Sequence, residues 1–330
     1  MAKLILHIGS HKTGTTSLQA ALRNAAPDLA QRGITVFDRK DLTPPVVGTS
    51  GEGAGFVARL RRNVADRLFR PRSPLTVFSS EGFFWLYDPE EVDALATLLR
   101  DRFESVEIYA YVRRQDEMVL SHRRQVLLGS PAQAFYGAKF LMLPEVEAHH
   151  HRLLDYHAKL AGLWGAHFGM SAIHAIPYAR ATLHNQDVVA DFAHRTGLDL
   201  ASPPEERNSG LTAAQIIAGF AVSEHGLPRR HLRRALFDMD HRPGCDTVKL
   251  LPSRERVAAF MAHFQDSNQR LAADFHCDGK PLAFDQSFDK YPPTEAPDWT
   301  SEEVFALLRS VLPMVAVPRA PEAARHDLAD

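Results

Sequence analysis

The sequence of 330 residues contains little cysteine, with Cys245 and Cys277 alone, so a framework of disulfide bonds is excluded. The chain also has no large excess of charge of one sign. It contains 38 Lys and Arg residues and 40 Asp and Glu residues, which gives a net charge of -2. A nearly neutral chain gives no reason to expect nucleic acid as a partner. Hydrophobic residues make up 45% and charged residues 24% of the chain, which excludes a disordered or fibrous protein.

Long hydrophobic runs are absent as well. No stretch approaches the roughly 20 apolar residues that a membrane-spanning helix requires. The apolar run at residues 4–8 is too short for the core of a signal peptide. We therefore expect a cytoplasmic protein without a membrane span, and two cysteines suit the reducing conditions of that compartment. The composition leaves the oligomeric state open.

Short apolar runs alternate with segments of helical periodicity through the first half of the chain. The predicted strands are residues 4–8, 34–37, 75–79, 106–112 and 172–176. The predicted helices are residues 16–32, 56–69, 89–103, 115–128 and 145–168, and residues 39–55 are predicted to form a loop near the site. This alternation predicts an α/β fold with a parallel sheet covered on both faces. After about Thr182 the pattern is mostly helical, with an amphipathic stripe from Val257 to Phe275.

The most informative segment lies between the first predicted strand and the first predicted helix. Residues 7–19 read HIGSHKTGTTSLQ. Small residues let the backbone close around an anion, and the start of a helix adds unpaired N–H groups and the positive end of the helix dipole. Lys12 adds a positive charge, and Thr15, Thr16 and Ser17 add hydroxyl donors. The segment is therefore predicted to bind phosphate or a related anion.

This loop departs from the Walker A sequence of ATP-hydrolysing proteins. Gly9 and Gly14 have the Walker A separation, but Thr15 stands where a lysine follows the second glycine. The run KTGTT after a strand resembles instead the 5′-phosphosulfate-binding loop of sulfotransferases that use 3′-phosphoadenosine 5′-phosphosulfate (PAPS). The resemblance implies a P-loop-kinase-like three-layer fold. It also implies that the phosphosulfate is bound by Lys12, Thr13, Gly14, Thr15, Thr16 and Ser17.

A second motif follows the fourth predicted strand, which ends in Arg113 and precedes a helix carrying Ser121. A strand end places Arg113 at the carboxyl edge of the sheet, where α/β proteins bind ligands. A guanidinium and a hydroxyl together suit a terminal phosphate. The arrangement is similar to the 3′-phosphate motif of the same family, which implies that Arg113 and Ser121 bind the 3′-phosphate. Arg114 and Gln115 stand where family members commonly have Asp-Pro. Residues 264–271 resemble a late helix of bacterial members.

The acceptor hydroxyl requires a base, and Glu81 is our first choice because it follows the third predicted strand at the same sheet edge. A loop carboxylate or a helix cap is the structural alternative for this residue. His11, inside the loop, is the reserve base. Lys12 is also assigned a catalytic role, to offset negative charge on the leaving group. The resemblance implies PAPS as co-substrate, adenosine 3′,5′-bisphosphate as product, and no metal.

Two further groups of residues have open interpretations. The aromatic residues 83–87 either line an acceptor pocket or belong to the core. The six arginines between residues 59 and 72 either form a solvated surface or face the cleft, where they would favour an anionic acceptor.

We therefore predict a sulfotransferase that moves the sulfuryl group of PAPS to a hydroxyl or amine of a carbohydrate or small metabolite. The alternatives are a P-loop nucleotide or metabolite kinase using ATP and Mg²⁺, and a non-catalytic nucleotide-binding protein. A single domain over residues 1–317 is expected. Its nucleotide-binding core would cover about residues 1–180 and its helical additions about residues 181–317. Residues 318–330 are expected to fray.

Overall fold

The computed structural model describes residues 2–37, 44–127, 131–137, 143–202, 216 and 251–294. Its strands are β1 (Lys3–His7), β2 (Ile34–Phe37), β3 (Val47–Ser50), β4 (Val57–Leu60), β5 (Leu75–Ser79), β6 (Ser105–Val112), β7 (Ile173–Pro177), β8 (His276–Cys277) and β9 (Lys280–Pro281). Its α-helices are α1 (Thr15–Gln31), α2 (Arg62–Leu68), α3 (Pro89–Arg100), α4 (Gln115–Leu127), α5 (Pro131–Tyr136), α6 (His151–Leu154), α7 (Ala166–Phe168), α8 (Val188–Thr196), α9 (Arg254–Ala262) and α10 (Gln265–Asp274).

The main sheet has five strands in the order β2-β5-β1-β6-β7, and every neighbouring pair is parallel. The chain leaves β1 toward one side of the sheet and later returns to build the other side. This reversal makes the carboxyl ends of β1 and β6 the topological switch point, the usual ligand position in open α/β sheets. The five strands lie where the sequence predicts them, within one or two residues.

Helices cover both faces of this sheet, so the strands are apolar on both sides. Successive β1 residues point to opposite faces, and Leu4 and Leu6 join one core while Ile5 joins the other. The core around Ile5 contains residues of α1 and α8, and the core around Leu4 contains residues of α3 and the π-helix Ala158–Gly165. The expected three-layer α/β arrangement is confirmed.

The predicted helix 56–69 is wrong in its first half. Phe56, Ala58 and Leu60 are buried while Arg59 is exposed, an alternation that is typical of a strand. β4 pairs here with β3, which lies in the segment predicted to be a loop. The helical pattern begins only at α2.

The predicted long helices 145–168 and 257–275 are interrupted. At Asp155 the backbone is non-helical (φ -78°, ψ 90°), and the carboxylate accepts a hydrogen bond from the N–H of Ala158, which starts a new helix of π type. The second segment breaks between α9 and α10 at Phe264, whose φ of -115° leaves the helical range. Apolar spacing continues across both breaks, so periodicity alone did not reveal them.

The described helices include none long and apolar enough to cross a membrane. The expected tail 318–330 and Cys245 lie outside the described residues. The single-domain division of the chain stays a prediction.

Candidate functional site

The carboxyl ends of β1, β5 and β6 meet at one edge because the three strands are in register, with His7 opposite both Ser79 and Tyr109. Backbone hydrogen bonds continue the pairing past the strand ends. The N–H of Ser80 donates to the His7 carbonyl at 2.9 Å, and the N–H of Ser10 donates to the Tyr111 carbonyl at 2.6 Å. The loop after β1 is thus tied to both neighbouring strands.

Three residues of this loop have a left-handed backbone: Gly9 (φ 63°), Lys12 (φ 65°) and Gly14 (φ 76°). Glycine adopts this conformation without strain, but lysine does so at a cost. The Thr13 hydroxyl donates to the Ser10 carbonyl at 2.7 Å and closes the turn. The loop therefore holds Lys12 in a strained conformation between two glycines, which is a pattern found at ligand sites.

The start of α1 has spare hydrogen-bond donors. Gly14 occupies the N-cap position, and among the described residues no side chain caps this helix end. The hydroxyl of Thr15 is buried and has no hydrogen-bond partner within the described part of the chain. Thr16 and Ser17, which follow, are exposed. An oxyanion seated on the loop would give the Thr15 hydroxyl its missing partner, so the loop fits a phosphate or sulfate group.

Glu81 lies directly against this loop. It begins a 3₁₀-helix, Glu81–Trp85, that follows β5, and a methyl group at Gly9 would lie 3.4 Å from the Glu81 Cβ. The Gln19 side-chain amide donates to Glu81 Oε2 and to the Ser79 carbonyl, both at 3.1 Å. Gln19 therefore connects α1 with the turn that carries Glu81. These two bonds hold the Glu81 carboxylate beside the helix that follows the loop.

Histidines line the inner side of the loop. His7 is buried and bonded through Nδ1 to the Ser79 hydroxyl at 2.8 Å, and burial lowers its pKa to about 4 despite the nearby charge of Glu81. Burial, together with His11 and Lys12, holds the pKa of His122 well below its usual value. His11 is buried, and its ring lies 4.5 Å from the Trp85 ring and 4.9 Å from the His122 ring. His7 and His122 are therefore neutral at pH 7.

Arg113 lies at the end of β6 and is partly exposed. Its Nε donates to Glu117 at 3.0 Å, and its guanidinium lies 6.0 Å from the centre of the Tyr178 ring. The Tyr178 hydroxyl in turn lies 3.4 Å from where a methyl group at Gly14 would be. The Tyr178 ring therefore lies between Arg113 and Gly14 of the loop. Ser121 is half-buried on α4, and within the described residues no hydrogen bond joins it to Arg113.

Arg114 points elsewhere, into a structural contact that we call the α4 anchor. The anchor consists of Arg114 and Asp116 at the start of α4, and of residues 285–291. The guanidinium binds both carboxylate oxygens of Asp116, at 2.8 and 2.9 Å, and the carbonyls of Asp285 and Ser287, at 2.6 and 2.8 Å. Tyr291 donates its hydroxyl to Asp116 at 2.5 Å. These residues fix the helix that follows Arg113.

Gln115 and the late helix α10 are also structural neighbours. Gln115 and Asn268 exchange side-chain hydrogen bonds at 2.8 and 3.2 Å, and the Ser267 hydroxyl donates to Asp155 at 2.6 Å. Helix α10 therefore supports the start of α4.

A cavity of about 330 Å³ opens beside the loop, and both Glu81 and His11 line it. β3, Arg61 and Trp85 form other parts of its wall. Phe83 and Phe84 are fully buried in the core, so of the aromatic residues 83–87 only Trp85 takes part in this cavity. Its size suits a small molecule.

Sequence reasoning missed two residues that connect the parts of this site, Gln19 and Tyr178. Gln19 lies one turn into α1, and its polar side chain on a mostly apolar helix is a weak signal. Tyr178 follows β7 directly, so its position at the same sheet edge follows once the strand order is known. Within the described residues, no three His, Cys, Asp or Glu side chains are grouped as a metal ion would require.

No protein-family model matches the sequence, and no curated protein matches it significantly. The chain is similar to the crystal structure of a sulfotransferase from Alicyclobacillus acidocaldarius, with 17% sequence identity and a TM-score of 0.36. The similarity covers 71% of this chain and 95% of that chain. A likeness this distant says nothing about activity, so the function must be inferred from the residues of the site.

Proposed function

We propose that the protein is a PAPS-dependent sulfotransferase. The observation that carries the proposal is the meeting, at one sheet edge, of the Lys12 loop, the Glu81 carboxylate and Arg113. The buried and unpartnered Thr15 hydroxyl at the start of α1 supports an oxyanion on the loop. Thr15 at the position of the Walker A lysine, with the lysine of the loop at residue 12 instead, supports a sulfuryl donor over ATP. The proposed co-substrate is PAPS and the proposed compartment is the cytoplasm.

When bound, PAPS supplies the sulfuryl group and the bisphosphate leaving group. In the proposed reaction, a hydroxyl or amine of a carbohydrate or small metabolite attacks sulfur in line. The new O–S or N–S bond forms as the bond from sulfur to the 5′-phosphate oxygen breaks, and adenosine 3′,5′-bisphosphate leaves. Because no atoms of the protein join the product, positioning and charge stabilisation are its main contributions.

The residues divide these tasks among them. The acceptor proton passes to Glu81, which Gln19 holds against the loop, and His11 is the second candidate for this role. Lys12 offsets negative charge on the leaving oxygen. The N–H groups and hydroxyls of residues 13–17 hold the phosphosulfate, and Arg113 with Ser121 holds the 3′-phosphate.

The first test is calorimetric titration with adenosine 3′,5′-bisphosphate, and separately with ATP and Mg²⁺, on wild type and on Arg113→Ala. Loss of one charged phosphate contact is expected to weaken bisphosphate binding by about 1.5–3 kcal/mol, or about tenfold or more. The fold should tolerate the change because Glu117 keeps its bond from Lys290. Arg70→Ala is the matched control, since Arg70 pairs with Asp66 on α2.

Preferred binding of ATP with Mg²⁺, unaffected by Arg113→Ala, would contradict the proposal and favour a kinase. Bisphosphate binding without turnover of PAPS, using any acceptor tested, would favour a non-catalytic binding protein. Glu81→Gln separates these cases further. If Glu81 is the base, the substitution should lower turnover by about 10²–10⁴-fold, whereas Glu52→Gln on an exposed turn should leave it unchanged.

A further inference from the structure

The cavity beside the loop carries opposite charges in its wall. Glu81 lies on the side of the 3₁₀-helix, and Arg61 lies on the side of β3. Val47 of β3 connects the two sides, because its Cβ lies 3.8 Å from where a methyl group at Gly82 would be. The wall of this cavity therefore offers a ligand both a carboxylate and a guanidinium.

The Arg61 side chain is held in place, and no carboxylate of the described residues pairs with it. Its Nη1 donates to the Pro45 carbonyl at 2.6 Å, and a methyl group at Gly48 would lie 2.8 Å from its Cζ and Nη2. Any larger residue at position 48 would push the guanidinium away, so Gly48 makes room for it. In the ranges that the structure describes, no acidic side chain forms an ion pair with Arg61.

Three neighbouring arginines have partners within the protein and do not line the cavity. Arg59 pairs with Glu91 at 3.0 Å, and Arg70 pairs with Asp66 at 3.0 Å. Arg67 bonds to the carbonyl of Asn63 on its own helix. Arg61 differs from these residues because it lines a cavity and keeps guanidinium N–H groups that can pair with two oxygens of an anion.

We propose that Arg61 selects an acceptor that carries a carboxylate in addition to its reacting hydroxyl, such as a uronic acid. The guanidinium binds the carboxylate and orients the molecule, so that the hydroxyl faces Glu81 and the loop. The negative charge of Glu81 disfavours the reverse orientation, in which the carboxylate of the acceptor would lie beside it. Arg61 is thus a specificity-determining residue. This role rests on the proposed sulfotransferase function for its chemistry, although the binding preference itself does not require turnover.

The test uses two probes that differ in one group, 4-nitrophenyl β-D-glucuronide and 4-nitrophenyl β-D-glucoside. Calorimetry or ligand-observed NMR measures their dissociation constants with wild type, Arg61→Gln, Arg61→Lys and Arg67→Gln, the last being a control on helix α2, which follows Arg61 directly. Wild type should bind the glucuronide about tenfold more tightly than the glucoside. Arg61→Gln should abolish this preference, Arg61→Lys should keep part of it, and Arg67→Gln should keep all of it.

The proposal is overturned if wild type binds both probes equally or fails to bind the glucuronide. It is also overturned if the preference survives in Arg61→Gln while the melting temperature shows an intact fold. An Arg61-dependent preference in a protein that does not bind adenosine 3′,5′-bisphosphate would support the carboxylate site and reject the sulfotransferase function. The two proposals can therefore fail separately.

Discussion

The α4 anchor and the loop after β1 follow the carboxyl ends of two adjacent strands, β6 and β1, but their polar groups are bonded to different extents. In the anchor, Arg114 bonds to two carboxylate oxygens and two carbonyls, and Asp116 also accepts from Tyr291. In the loop, the buried Thr15 hydroxyl has no partner among the described residues, and Lys12 has a strained backbone. Buried polar groups whose hydrogen bonds are all made stabilise the fold, whereas a buried polar group without a partner indicates a place for a ligand.

The adjacent residues Arg113 and Arg114 also differ in burial and in how firmly their partners hold them. Arg114 is nearly fully buried, while the Arg113 side chain is 29% exposed and shares Glu117 with Lys290. Burial raises the pKa of Glu117, but the bonds from Lys290 and Arg113 outweigh it, and the pKa is lowered. Arg113 can therefore turn toward an anion without leaving Glu117 uncompensated.

The largest expected effect comes from breaking the anchor with Asp116→Asn. Burial alone would raise the pKa of Asp116, but hydrogen bonds from Arg114 and Tyr291 lower it, so the carboxylate is charged. The substitution removes the carboxylate that is bonded to the buried Arg114, which should reduce the free energy of unfolding by about 3–5 kcal/mol. Urea denaturation at pH 7 measures this change.

The control for that experiment is Asp266→Asn, which removes an exposed ion pair with Arg270 on α10. It should change the free energy of unfolding by less than about 0.5 kcal/mol. Equal effects of the two substitutions would mean that the anchor does not stabilise the fold more than a surface pair does.

An intermediate effect is expected at Lys159, a buried lysine on the π-helix whose Nζ donates to the Leu86 carbonyl at 2.9 Å. Burial lowers its pKa to about 7, against about 10.4 in the unfolded chain. Between these values the unfolded chain binds more protons, so stability rises with pH. From pH 7 to pH 9, the unfolding free energy of wild type should rise by about 2 kcal/mol relative to Lys159→Met. Parallel pH profiles of the two proteins would contradict this.

The smallest effects are expected from two threonine hydroxyls of the loop. One hydroxyl stabilises the loop, and the other is proposed to bind the ligand. Thr13→Val removes the bond to the Ser10 carbonyl and should lower the unfolding free energy by about 1 kcal/mol. Thr15→Val removes a hydroxyl without a partner in the described structure. It should leave stability nearly unchanged and weaken adenosine 3′,5′-bisphosphate binding by about 1 kcal/mol. The two variants are compared by urea denaturation and calorimetry. If Thr15→Val is as destabilising as Thr13→Val, its hydroxyl has a structural role.

The sequence was sufficient to predict the parallel sheet and the three segments that meet at its edge, because each strand is a short apolar run followed by a polar residue. It could not predict where helices break. The break at Asp155 depends on a side-chain cap within the next turn, whereas the strand at residues 57–60, predicted to be helical, depends on pairing with β3, a contact between separate segments. The partners Gln19 and Tyr178 were missed for the same reason.

The backbone bonds that tie the loop to its neighbours have a consequence for binding kinetics. Ser10 is bonded to β6, and Ser80, which precedes Glu81, is bonded to β1. A loop held in this way loses little conformational entropy when an anion arrives, and association need not wait for it to become ordered. Amide hydrogen exchange at Ser10 and Ser80 should therefore be slow before any ligand is added.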